Sequence, residues 1–204
     1  TVMSWQLANE PRPGSQQGGR ANIADYDRWI DETAGYIKEL APRQLVSTGS
    51  EGAMGSIGDL DLFLQAHKSA NVDYLTFHLW PSNWSWIDHQ DPAARLESGL
   101  KTSLGYIDRH IDAAGKLGKP IVMSEFGLNR DGGSYDPASE VVARDRFYGA
   151  IYDRDPAAGL AAAKLGARLI ASDLFALGID VDCLPLADVP VNEADPVIGN
   201  RAYG

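Results

Sequence analysis

Val2–Pro11 reads VMSWQLANEP, an apolar run that stops at Asn9-Glu10-Pro11. A short segment of β-branched, aromatic and aliphatic residues bounded by a turn signal is a strand, and the residues at its carboxyl end decide the fold class. An open doubly wound sheet continues its first strand with a Gly-rich turn that holds phosphate; here a glutamate and a proline stand in that place. Lys119–Leu128, KPIVMSEFGL, repeats the design, with the strand Pro120–Phe126 running into Glu125.

Between and beyond these two strands the elements alternate. Ile23–Leu40 has apolar residues three and four apart, the helical period, and Pro42 closes it. Gln44–Thr48 is a short strand ending in glycines, Ile57–Ala70 a helix, and Val72–Leu79 a strand. Asp91-Pro92 opens a helix, an N-cap acid before a first-turn proline, that runs to Leu117. Glu140–Tyr152 and Ala157–Leu177 are helices, and Ile179–Ala187 is the last strand. Strand–helix alternation means a parallel sheet. Five strands cannot close an eight-stranded barrel, so the expected fold is α/β, a partial (β/α)8 barrel of about five parallel strands. Missing strands leave open edges, which self-association of the chain would cover.

The totals narrow the function. The 204 residues carry a formal net charge of -10, which disfavours nucleic-acid and anionic-membrane partners and fits a neutral substrate. No apolar run reaches the ~18–20 residues of a membrane span. A single cysteine, Cys183, excludes an internal disulfide. Thr1 opens the chain inside an apolar run with no basic start, which reads as a piece of a longer protein and not as a signal peptide.

In a parallel barrel the carboxyl ends of the strands form the active face. Two strand-end glutamates are what retaining glycoside hydrolysis requires, one acid/base and one nucleophile ~5–5.5 Å apart. The alternative is that each is a solvated loop residue just past its strand. Glu10 has to hold a proton when the glycosidic oxygen needs one, and Glu125 has to stay ionised. His78, near a strand end, either bonds Glu125 or a sugar hydroxyl, or is a satisfied core histidine. Trp80, Trp84 and Trp86 crowd one polar loop and offer flat faces to sugar rings, with at least one expected to anchor the core. Trp5 reads as packing. Glu51 either touches substrate or sits in its Gly-rich loop. His67, His89 and His110 show no metal spacing and read as surface residues, and no metal or cofactor is expected.

The ordered segments carry a resemblance. VMSWQLANEPR (Val2–Arg12), STGSEG (Ser47–Gly52), FHLWPSNWSWI (Phe77–Ile87), KPIVMSEFGL and RDRFYGAIY (Arg144–Tyr152) resemble family 5 glycoside hydrolases, most closely the endo-β-1,4-mannanase branch, over about residues 1–152. The resemblance implies strands four to seven of that barrel. It also implies Asn9 as a ligand of a substrate 2-hydroxyl, Glu10 as acid/base, Glu125 as nucleophile, His78 as a site histidine and the tryptophans as sugar platforms. The family's Arg and His from earlier strands and its eighth-strand Trp have no counterpart here. Residues 153–204, from DPAAGLAAAKLGARLIASDLFALGIDVDCLPLADVPV to VIGNRAYG, resemble family 3 β-N-acetylglucosaminidases instead. There the arginine of VIGNR, Arg201 here, binds N-acetylglucosamine, while that family's catalytic segments have no counterpart. The whole then reads as a chimera of two barrel fragments acting on a polysaccharide or oligosaccharide. The first portion implies a secreted or periplasmic setting, the second a cytoplasmic one.

Overall fold

The computed structural model describes residues 2–14, 18–134, 136, 138–176 and 178. Two compact units emerge, Thr1–Pro81 with Lys101–Gly127, and Ser82–Leu100 with Leu128–Gly204. The expected strand Ile179–Ala187, and with it Cys183, lies outside the described residues, as does Arg201.

Among the described residues the first unit holds four strands: β1 (Ser4–Gln6), β2 (Leu45–Ser47), β3 (Leu75–Leu79) and β4 (Ile121–Phe126). β1 pairs with β2 and β3 with β4, both parallel, as the alternation requires. β2 and β3 are not laddered directly. Asp73 bridges them instead: its N–H donates to the Val46 carbonyl at 2.8 Å and its carboxylate accepts the Val46 N–H at 2.6 Å. Lys38 neutralises that carboxylate from 2.5 Å.

α1 (Ile23–Leu40) spans the residues its period predicts. Its face Tyr26, Ile30, Ala34 and Ile37, at spacings of three and four, packs on Val46, Ala66 and Val72. α2 is shorter than its pattern suggests, Leu60–Ala66. Ile57 and Gly58 take left-handed φ of 52° and 76°, which breaks the helical path, and Asp59 then caps α2 by accepting the N–H groups of Asp61 and Leu62. Phe63 of α2 meets Leu75 of β3 and Ala114 in a second core cluster. Ala114 belongs to α3 (Leu96–Leu117), which starts in the second unit and ends in the first. Lys119, after α3, donates to three carbonyls of the turn after α2, those of His67, Ser69 and Val72, at 2.6–2.8 Å.

Trp5 is 44% exposed and so is not the packing residue it resembles. Among the described residues β1 has a paired strand on one side only, and the neighbouring Val2 and Met3 are exposed with it.

In the second unit a 3-10 turn, Pro92–Arg95, precedes α3; the Asp91 carboxylate caps it through the Ala94 N–H at 3.2 Å. Gly99 lets the loop before that turn cross α3 closely, since a Cβ there would stand 2.2 Å from Ile87 Cγ1. Ile87, fully buried, is therefore the core anchor expected of one of the tryptophans. α4 (Val142–Arg154) is capped by Asp131 through the Ala143 N–H, and α5 (Pro156–Ala176) comes next. No described helix is long and apolar enough to cross a membrane.

Candidate active site

The carboxyl ends of β1, β3 and β4 converge on three side chains. His78 Nδ1 lies 2.8 Å from Glu10 Oε1 and 3.4 Å from Glu125 Oε2, and one donor atom from each of the three residues falls within 4.8 Å of the others. The register explains the meeting. Phe77 pairs with Met123 but His78 pairs with Glu125, so Ser124 is an extra residue on β4, a bulge that turns Glu125 opposite His78. The sequence points His78 at Glu125 or at substrate; its short bond is to Glu10 instead. With its proton on Nδ1 the imidazole donates to that carboxylate.

Glu10 holds its place by backbone strain. Its φ is 49°, a left-handed value uncommon for a residue with a Cβ, and its N–H donates to the Gly49 carbonyl at 3.0 Å. Gly49, φ 76°, is fitted to this contact, because a Cβ there would stand 1.9 Å from the Ala8 carbonyl oxygen.

Trp80 donates its indole N–H to Glu125 Oε2 at 3.1 Å, and its ring lies against Gly127, where a Cβ would approach Cζ3 to 2.6 Å. Glu51, 1% exposed, pairs its carboxylate with Arg12, whose Nη2 also stands 3.8 Å from Glu10 Oε2. Burial raises the Glu51 pKa first, and the Glu10 charge raises it further against the lowering pull of Arg12. Asn9 is exposed beside Glu10. Trp84 and Trp86 belong to the second unit, half-buried and in edge-to-face contact at 4.8 Å between ring centroids.

The Glu10, His78 and Glu125 donor atoms lie within 4.8 Å of one another, a set that could also hold a metal ion.

Two surface expectations fail. His67 and His110 are fully buried, whereas His89 is exposed as expected. His67 bonds the Phe63 carbonyl through Nδ1 at 2.7 Å and the Thr48 hydroxyl through Nε2 at 2.8 Å. His110 bonds the Tyr106 carbonyl through Nδ1 at 2.7 Å and accepts the Ala53 N–H through Nε2 at 2.9 Å. Each therefore has two partners and no need of water. Burial pushes both histidines down to about 4. Tyr106 completes the grip on this loop by donating to the Glu51 carbonyl at 2.9 Å. Arg12, Tyr106, His67 and His110 are the site residues that reading the sequence misses. The usable signal is a repeated spacing, an aromatic residue four before each histidine: Phe63 before His67 and Tyr106 before His110.

Parallel strands with intervening helices form part of a (β/α)8 barrel, with a carboxylate–imidazole–carboxylate cluster at the strand ends. Residues 1–165 match the family model GH family 5 beta-mannosidase-like, and the chain belongs to that family. The chain is similar to mannan endo-1,4-beta-mannosidase 5 of Arabidopsis thaliana, 31% identical over 168 residues covering 75% of this chain and 36% of the relative. It is also similar to the solved glycoside hydrolase family 5 mannosidase of Rhizomucor miehei, at 32% identity and TM-score 0.63, covering 75% of this chain and 35% of that one. A glutamate-to-alanine mutant of the Rhizomucor miehei mannosidase was solved in complex with mannosyl-fructose. The chain thus spans about a third of the length of the relatives it matches.

Proposed function

We propose that this site performs retaining hydrolysis of β-mannosidic bonds, of the endo-1,4-β-mannanase type. The carrying observation is the placement of Glu10 and Glu125, with carboxylate oxygens no more than 4.8 Å apart and one imidazole between them. That gap suits direct attack by a carboxylate and leaves no room for the water that an inverting pair must hold ~6.5–9.5 Å apart. Glu10 is the acid/base: it protonates the leaving oxygen, then deprotonates the incoming water. Glu125 attacks the anomeric carbon and forms the glycosyl intermediate. Trp80 steadies the Glu125 oxygen, and His78 orients Glu10. Asn9 is the ligand for a substrate hydroxyl, and Trp80, Trp84 and Trp86 supply flat apolar faces for sugar rings. The test is reducing-sugar release from galactomannan, with NMR of the first-formed anomer. Release of the β-anomer supports the reading, and initial release of the α-anomer ends it.

A second reading attaches to residues 153–204 and makes the chain a fusion of two barrel fragments, with Arg201 as an N-acetylglucosamine ligand. It rests on the sequence resemblance alone, and the family 5 match, which runs to residue 165, takes in the first half of α5. Turnover of a chromogenic N-acetylglucosaminide supports that reading. Turnover of neither substrate, with mannan still bound, points to a sugar-binding scaffold. We also propose that the sides of β1 and β4 that have no paired strand among the described residues, where Trp5, Val122 and Phe126 are exposed, drive self-association. Light scattering that shows only monomer at high concentration contradicts this.

A further inference from the structure

The ion pair beside Glu10 is uneven. Arg12 has one guanidinium and two carboxylates within reach; its Nη2 closes on Glu51 Oε1 and stays 3.8 Å from Glu10 Oε2. Glu51 does not hold this position by chance. Its carbonyl accepts the Tyr106 hydroxyl at 2.9 Å and the His78 N–H at 3.2 Å, so α3 and β3 fix the residue together. The next residue but one, Ala53, is tied to His110. Gly55 makes room for the side chain, since a Cβ there would approach Glu51 Cγ to 2.8 Å.

A buried carboxylate, 2% exposed at its side chain, needs a cation more than Glu10 does at 27%. A charge out of water is costly unless paired, and the cost of leaving it unpaired falls with exposure. The guanidinium therefore goes to Glu51. We propose that Glu51 is a positioning residue that holds Arg12 off Glu10, so that the acid/base carboxyl can carry its proton instead of being locked as the anion of an ion pair. This deepens the proposed function and rests on the acid/base role given there to Glu10. The charged and titratable groups around the two carboxylates are Arg12, His78, Glu125 and Tyr106, and the first of these is the one that Glu51 controls.

The test tracks the Glu10 carboxyl directly, by 13C NMR of the chain labelled at glutamate carboxyls, with the Glu10 signal assigned by its loss in Glu10→Gln. In Glu51→Gln, Arg12 is released to close from 3.8 Å to hydrogen-bond distance of Glu10 while the repelling Glu51 charge is lost, and the titration midpoint of Glu10 falls by about one pH unit, as expected for a new charge-assisted hydrogen bond on a carboxylate. In Glu51→Gln with Arg12→Met, neither charge remains and the midpoint returns close to that of the parent chain. Arg12→Met alone, at a half-exposed position, leaves the midpoint where it was or raises it, and this arm does not depend on Glu51→Gln folding. A midpoint unmoved in Glu51→Gln, unrestored in the double variant, or lowered in Arg12→Met overturns the proposal. The signature is non-additivity: Arg12→Met raises the Glu10 midpoint more in the Glu51→Gln background than in the parent chain, which neither the bare loss of the Glu51 charge nor loss of loop support produces. The titration needs no turnover. A chain inactive on mannan therefore sinks the proposed function alone, and an active chain with an unmoved midpoint sinks this inference alone.

Discussion

The indole N–H of Trp80 donates to Oε2 of Glu125 across 3.1 Å, from the end of one strand to the end of the next. The ring lies against Gly127, so the donor stays aimed at one carboxylate oxygen and leaves the other clear of it. A donor on a carboxylate stabilises the anion, and the nucleophile in a retaining mechanism has to be the anion.

Trp80→Phe removes the donor and also loses the outer ring atoms that lie on Gly127, so activity is read on the folded fraction. We expect kcat/KM on mannan to fall about 10-fold, the worth of one hydrogen bond to a charged group, with the fold kept at the assay temperature. A drop in melting temperature that accounts for the lost activity contradicts this.

Gly49 is predicted to be intolerant of any side chain. Gly49→Ala places a Cβ 1.9 Å from the Ala8 carbonyl oxygen at a φ of 76°. The strain should cost more than about 2 kcal/mol, read as a lower urea midpoint at unchanged slope. It should also displace Glu10, whose N–H bonds the Gly49 carbonyl. An alanine variant as stable and as active as the parent chain would mean that the strand ends are not packed this tightly.

His67 and His110 predict acid sensitivity. Both have pKa values lowered by burial from 6.5 to about 4, so below pH 6.5 the unfolded chain takes up protons that the folded chain refuses. Their stabilisation is complete above pH 6.5 and is lost progressively as pH falls to about 4, by something on the order of 3 kcal/mol each. Urea unfolding at a series of pH values measures the slope, and His110→Gln should remove about half of the part due to these two histidines. An unchanged slope between pH 6.5 and 4 in that variant would show that the buried histidine does not resist protonation.

The helices that read most plainly are those with both a period and punctuation. α1 comes out residue for residue, because its stripe Tyr26, Ile30, Ala34, Ile37 is regular and Pro42 stops it. α2 does not, since Ile57 fits a helical stripe in sequence while its backbone turns left-handed. The two glutamates are legible because a charge at the end of an apolar strand has few structural reasons to be there. Arg12 is not, although it ends the same motif: a half-exposed arginine after a proline looks like surface until Glu51 is seen beneath it. The bulge at Ser124 is equally silent, because a side-chain alternation does not reveal which residue its partner strand will skip. Buried histidines are misread for a related reason, since the bonds that make burial tolerable come from carbonyls and hydroxyls far along the chain or hidden in the helix.

Glu125, proposed as the nucleophile of a retaining glycosidase, is tested by Glu125→Ala assayed with an activated aryl β-mannoside in the presence of azide. Hydrolysis should fall to a trace in the variant, and azide should restore part of it by entering the space the carboxylate left. The product should be a mannosyl azide of inverted configuration, because one displacement now replaces two. Undiminished hydrolysis in Glu125→Ala, or an azide product of retained configuration, would contradict the assignment, the latter by showing that Glu125 is the acid/base and that another group attacks the sugar.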